Sequence, residues 1–248
     1  MRVSQHTWSH SHSHQHLVLE AIAFKEIINK DVFLFQTDLS EVKMASKIIK
    51  KTLEEANGVP NAEIDFSDKG IVALEPDMTR MWSMKNITRL TLSHNKITEL
   101  PPAVAMMENL EILNLFNNSL EEVPQSVSTM QKLRILNLGC NKLNSLPRGF
   151  GSFPNIEILD LSYNNLNDNS LPNNFFFMTS IRALYLSDNE FERLSPDISN
   201  MKNLRILALR DNELVEIPEV RYFKTILFVF IKNFSINSQW PVHTQTLM

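Results

Sequence analysis

Six asparagines, Asn95, Asn118, Asn141, Asn164, Asn189 and Asn212, recur along the chain at spacings of 23, 23, 23, 25 and 23 residues. Each sits in the same apolar frame: ITRLTLSHNKITELP from residue 87, LEILNLFNNSLEEVP from 110, LRILNLGCNKLNSLP from 133, IEILDLSYNNLNDNSLP from 156, IRALYLSDNEFERLSP from 181 and LRILALRDNELVEIP from 204. A unit of this size cannot bury its apolar side alone. The period therefore demands a stack in which neighbouring units share one continuous core.

Each position of the frame has a physical task. Alternating residues such as Leu113 and Leu115 make a short strand with its apolar side inward. Leu110, Leu120 and Val123 cover the core as the chain turns back, and Val127 with Met130 closes the far wall. The asparagine carries a donor and an acceptor on a short side chain. It fits inside the turn and pairs backbone groups otherwise buried without partners, so the six are expected to form a structural ladder. Proline after the last leucine fixes an extended path and removes a donor. The template LxxLxLxxNxLxxLP is that of a leucine-rich repeat. The expected fold is an α/β leucine-rich repeat solenoid, a horseshoe with short parallel strands on its concave face and a capping helix at its N-terminal end. With strands roughly 4.8 Å apart, six rungs make a strip of about 30 Å. Repeat four is two residues longer through NDNS at 167–170, an insertion placed on the loop after the asparagine turn.

Residues 1–37 carry no repeat and read as a histidine-rich, disordered extension. In residues 38–60, Val42, Ala45, Ile48, Ile49, Leu53 and Ala56 fall at helical spacing, with Ser40 as N-cap and Gly58 as stop, which gives the capping helix. The repeat region spans 61–220. It opens on a degenerate rung, AEIDFSDKGIVALE, with Ile64, Phe66, Ile71 and Leu74 in register but Lys69 in the asparagine column. Residues 221–248 form a divergent tail, in which TILFVFI reads as an exposed apolar segment in preference to a makeshift last strand.

The net charge of -4 is spread along the chain, so no basic stripe points to nucleic acid or an anionic membrane. One cysteine, Cys140, excludes an intrachain disulfide framework and points to a reducing compartment. No signal peptide is read in the first thirty residues, where LVLEAIAF is interrupted by Glu20, and ILFVFI at 226–231 is too short to span a bilayer. The expected location is cytoplasmic. Asn86, Asn117 and Asn233 begin N-x-S/T triplets, read as chance matches in an unexported chain.

His6, His10, His12, His14 and His16 form a tract of a kind that binds transition metals, but no cysteine or carboxylate pair completes a closed site. His94, the one histidine inside the repeats, lies two rungs from Cys140, roughly 10 Å by strand spacing, too far to act as its base. None of the five glycines forms a phosphate-cradling motif. No catalytic, cofactor or metal residue is assigned.

The variable positions of the concave strip remain as the candidate binding surface. Column five runs Thr91, Asn114, Asn137, Asp160, Tyr185, Ala208; column seven runs Ser93, Phe116, Gly139, Ser162, Ser187, Arg210; column eight runs His94, Asn117, Cys140, Tyr163, Asp188, Asp211. Exposed aromatics beside acidic groups are the material of binding hot spots. Asn114, Phe116, Asn117, Asp160, Tyr163, Tyr185, Asp188, Arg210 and Asp211 are therefore the candidate protein-binding residues.

The strings LTLSHNKIT, LNLGCNKLNSLPRGFGSFPNIEILDLSYNNL, NSLPNNFFFMTSIRALYLSDNEFE and LALRDNEL, with EIDFSDKGI ahead of them, resemble the Ras suppressor family over roughly residues 46–219. The resemblance implies a scaffold without catalysis that dampens Ras signalling and joins integrin complexes at focal adhesions. It also implies a partner, the LIM-domain adaptor PINCH, alongside integrin-linked kinase and parvin. The alternatives are a leucine-rich regulatory subunit of a phosphatase or GTPase and, from a different class, a metal-binding protein using the histidine tract.

Overall fold

The computed structural model describes residues 46–74, 79–215 and 228–230. The histidine tract, the proposed cap at Ser40 and the tail after residue 230 lie outside the described residues. Helix α1, described over 46–56, turns Ile49 and Leu53 inward and leaves Lys47, Lys50, Lys51, Glu54 and Glu55 exposed. It stops at Gly58, whose φ of 81° is left-handed and suits glycine. The Val59 N–H donates to the Ala56 carbonyl across this turn at 3.2 Å, and Asn86 Nδ2 donates to the Ala56 and Val59 carbonyls, each at 2.8 Å.

Strand β1 (Ala62–Asp65) is followed by a single helical turn, α2 (Thr79–Trp82), and then by β2 (Ile87–Thr91), β3 (Ile112–Asn114), β4 (Ile135–Asn137), β5 (Ile158–Asp160), β6 (Ala183–Tyr185), β7 (Ile206–Ala208) and β8 (Phe228–Phe230). All pair in parallel, in chain order, as one sheet. The chain returns from each of β2 to β6 through a short 3-10 turn: Pro102–Met106, Gln125–Thr129, Phe150–Ser152, Phe175–Phe177 and Pro196–Asn200. A 23-residue period leaves no room for a longer helix on the return path. Pro101 and Pro124 stand directly before two of these turns with extended backbone, at φ -69° and -67°.

Within TILFVFI, residues 228–230 form a strand, the makeshift last strand set second above to an exposed segment. Their backbone pairs with β7, Ile206 with Phe228, Leu207 with Val229 and Ala208 with Phe230. The edge of β7 offers unpaired N–H and carbonyl groups, and a β-branched, aromatic segment is suited to satisfy them.

The inward rows Leu90, Leu113, Leu136, Leu159, Leu184, Leu207 and Leu92, Leu115, Leu138, Leu161, Leu186, Leu209 are buried throughout. Between them and the turns runs the asparagine row. Asn118 Nδ2 donates to its own Leu115 carbonyl and to the Leu92 carbonyl of the preceding rung, both at 3.0 Å, while its Oδ1 accepts the Ile97 N–H at 3.1 Å. Asn141, Asn164, Asn189 and Asn212 repeat this pattern. The leading rung manages with Lys69 because each asparagine reaches backward: Asn95 Oδ1 accepts both the Lys69 and Ile71 N–H groups. A second row, at the residue before each unit, ties the outer corner. Asn109, Asn155 and Asn203 donate to the carbonyls of Lys85, Gln131 and Thr179, at 2.6, 2.8 and 2.8 Å.

The repeat-four insertion is fastened on both sides. Ser170 is buried and its Oγ donates to the Asn144 carbonyl at 2.6 Å, while Asp168 Oδ1 accepts the N–H groups of Glu192 and Arg193 at 3.0 and 3.1 Å. The chain leaving it passes so close to Gly151 that an added Cβ would lie 1.9 Å from the Asn174 carbonyl oxygen. Gly151→Ala is therefore expected to lose about 1–3 kcal/mol of stability, the usual range for overpacking. A lowered urea midpoint at unchanged slope is the measurement; an unchanged midpoint contradicts the close approach.

Candidate functional site

Columns three and five flank the buried leucines of column four, so they face the open side of the sheet. Column three is an unbroken apolar stripe: Ile112, Ile135, Ile158, Ala183 and Ile206 stand in direct register on successive strands. The four isoleucines are half-buried and Ala183 is buried. Reasoning from columns five, seven and eight passes over this stripe. The signal is nonetheless in the frame, since the third letter is apolar in five of its six copies.

Column two borders the stripe with alternating charges. Arg134 Nε lies 2.7 Å from Glu157 Oε1, and Arg182 Nη1 lies 3.6 Å from Glu157 Oε2. The hydrogen bond from Arg134 holds the Glu157 carboxyl below its ordinary range, and the same bond raises the Arg134 guanidinium. Glu111, Arg134, Glu157 and Arg182 alternate in sign and Arg205 adds a further cation, so the border is a charged rim beside the stripe.

Column five is partly committed to the turns. Asn114, Asn137 and Asp160 each accept, through Oδ1, the N–H two residues later, at 3.0, 2.9 and 2.9 Å. Tyr185 and Ala208 have no group for this task. Column eight occupies a left-handed turn in every repeat, with φ of 53–55° from His94 through Asn117, Cys140, Tyr163 and Asp188 to Asp211. Asparagine and aspartate tolerate that conformation. Histidine is enriched there too, which suits His94, but Cys140 and Tyr163 are not residues that the turn itself selects.

The nine candidate residues fall into three groups. In repeat two, Asn114 is committed to its own turn, while Phe116 and Asn117 are tied to neighbouring rungs: the Phe116 ring lies 3.2 Å from where a Cβ on Gly139 would stand and meets His94 edge-on at 5.5 Å, and Asn117 Nδ2 lies 2.8 Å from His94 Nδ1. In repeat six, Arg210 Nε and Asp211 Oδ2 pair at 2.7 Å. In repeats four and five, Asp160 stands opposite Tyr185 in register, and Tyr163 is 56% exposed beside Asp188, whose charge raises the phenol above its ordinary value. Burial first, then the charges of Asp160 and Asp188, also raise the Cys140 thiol, the reverse of nucleophile activation. Among the described residues no cluster of three or more metal-ligating side chains occurs, and no helix is long and apolar enough to cross a membrane. An apolar hollow of about 340 Å³ lies away from this face, between the insertion and repeat five, lined by Leu171, Phe176, Phe191 and Leu194.

A parallel strand per period, an inward asparagine row and 3-10 returns are the leucine-rich repeat fold, and leucine-rich repeat families match residues 85–128, 108–166 and 155–178. The crystal structure of a TDR receptor shares the fold at a TM-score of 0.50 and 23% identity, over 55% of this chain and 24% of that one. More particularly, the chain is similar to Ras suppressor protein 1. It is 62% identical to the Homo sapiens protein over 152 residues, 61% of this chain and 54% of that protein, and 63% identical to the Bos taurus protein over 149 residues, 60% and 53% respectively. The chain thus spans about half the length of these curated relatives.

Proposed function

We propose that the chain is a non-catalytic recognition scaffold whose protein partner docks on the open face of the sheet. The partner covers the isoleucine stripe and anchors on Asp160, Tyr163, Tyr185 and Asp188. The observation that carries this reading is the stripe itself: five apolar residues in register on the open side of the sheet, bordered by charged side chains, match an apolar interface core within a polar rim. Asn114, Phe116, Asn117, Arg210 and Asp211 flank it. Similarity to Ras suppressor protein 1 supports a role in Ras signal transduction, and the same reading places the chain in cell adhesion, in the cytoplasm at focal adhesions. The partner on this reading is the LIM-domain adaptor PINCH, with integrin-linked kinase and parvin.

The test compares the chain with Tyr163→Ala plus Tyr185→Ala for binding to the LIM-domain adaptor by calorimetry. Truncating two hot-spot aromatics is expected to weaken binding by at least about tenfold. Unchanged affinity moves the partner off this face. Tyr163→Asn separates function from stability: asparagine relieves the left-handed turn, so the melting temperature is expected to rise, by the equivalent of about 1 kcal/mol, while binding falls. A lowered melting temperature contradicts strain at that turn.

A further inference from the structure

Helix α1 ends in the chain's single Asn-Gly pair, Asn57–Gly58. Both residues are exposed, and apart from Gly58 and its two chain neighbours no atom lies within 4 Å of where a Cβ on Gly58 would stand. An asparagine followed by glycine is where the next main-chain nitrogen reaches the side-chain amide most easily, because no Cβ hinders its approach. The ladder asparagines differ: Asn118, though followed by serine, is buried and held by three hydrogen bonds across two rungs.

We propose that Asn57 is a spontaneous modification site, whose deamidation loosens the helix that caps the stack. The Gly58 nitrogen gives up its proton and bonds to Asn57 Cγ. The Cγ–Nδ2 bond breaks, ammonia leaves with that proton, and a succinimide closes. Water then opens the ring at one carbonyl or the other, which leaves an aspartyl or an isoaspartyl residue; the sum is amide plus water to carboxylic acid plus ammonia.

Both products act on the cap. A carboxylate arrives one residue beyond the last helical residue, after Glu54 and Glu55, where the negative end of the helix dipole opposes it. The isoaspartyl form also routes the main chain through Cβ. That adds a backbone atom inside the turn closed by the Val59 N–H on the Ala56 carbonyl and bracketed by Asn86. Helix α1 covers the end of the core with Ile49 and Leu53, and a repeat stack depends on such caps.

The full chain is aged at physiological temperature and mildly alkaline pH. Tandem mass spectrometry then follows tryptic peptide 52–69, with enzymatic methyl labelling of isoaspartate. Asn57 is expected to convert faster than any other asparagine, and Asn57→Gln to remove the isoaspartyl signal from that peptide. Amide exchange over 46–56 is expected to speed about two- to fivefold in the aged chain and in Asn57→Asp, the factor implied by about 0.3–1 kcal/mol for a charge at a helix end. Aged Asn57→Gln keeps the slow exchange. Conversion at the exposed Asn144–Ser145 pair ahead of Asn57 overturns the site, and unchanged exchange in both the aged chain and Asn57→Asp overturns its effect on the cap.

Discussion

Asn141→Ala is expected to destabilise the protein by about 2–4 kcal/mol, because one buried N–H is orphaned and several hydrogen bonds are lost together. The two sides of this asparagine are not equivalent. The Leu115 and Leu138 carbonyls that accept from its Nδ2 also accept from Asn118 and Asn164, so each keeps a donor. The Leu120 N–H donates to Asn141 Oδ1 at 3.0 Å and loses that acceptor. Asn141→Asp keeps the acceptor but turns a carboxylate oxygen toward the carbonyls of Leu115, Leu138 and Gly139, now 2.9–3.1 Å from Nδ2. That repulsion and burial favour the neutral acid, which can donate, so the introduced carboxyl titrates higher in the folded state than in the unfolded one. The corresponding stability is fully present below the unfolded pKa, about 4, and is lost as pH rises through the folded pKa. Urea titrations across weakly acidic to neutral pH should therefore show Asn141→Asp regaining stability on acidification relative to the parent protein, and Asn141→Ala not doing so. Equal pH profiles for the two variants sink this account of the ladder.

Leu136→Ala is expected to be comparably damaging, at about 2–5 kcal/mol. Leu136 is fully buried in β4, between Leu113 and Leu159 in register, so a cavity there weakens two interfaces of the stack at once. In a nearest-neighbour array such a lesion also uncouples the repeats on either side. The calorimetric transition should broaden as well as move down. A sharp transition at the parent temperature counts against this leucine's place in the core.

The strands, their parallel order and the inward leucine rows could be read from the sequence because they repeat: a single frame, seen six times, fixes which letters face inward. What occurs once was harder to see. The pairing of residues 228–230 with β7 has no frame behind it and depends on an open sheet edge, which a sequence does not display. The binding face was half visible. Tyr163 stands out because an aromatic residue is a poor choice for a left-handed turn, yet the turn itself appears only in the backbone angles. The isoleucine stripe was obscured for the opposite reason: in the sequence it merges with the neighbouring leucines, and strand alternation is needed to turn it to the other side. Phe116 looked like a free aromatic until Gly139 on the next rung proved to leave the space into which its ring fits.

The asparagine bonds all point backward along the chain, which gives biosynthesis a direction. The Ile97 N–H needs Asn118, Leu120 needs Asn141, Leu143 needs Asn164, and Phe191 needs Asn212, each 21 residues further on. A ribosome delivers the N-terminus first. Each newly made rung therefore leaves the exit tunnel with one inward N–H unserved, and it is completed when the next asparagine emerges. In a nascent chain the older end therefore has its inward N–H groups served while the rung at the growing end still lacks its acceptor.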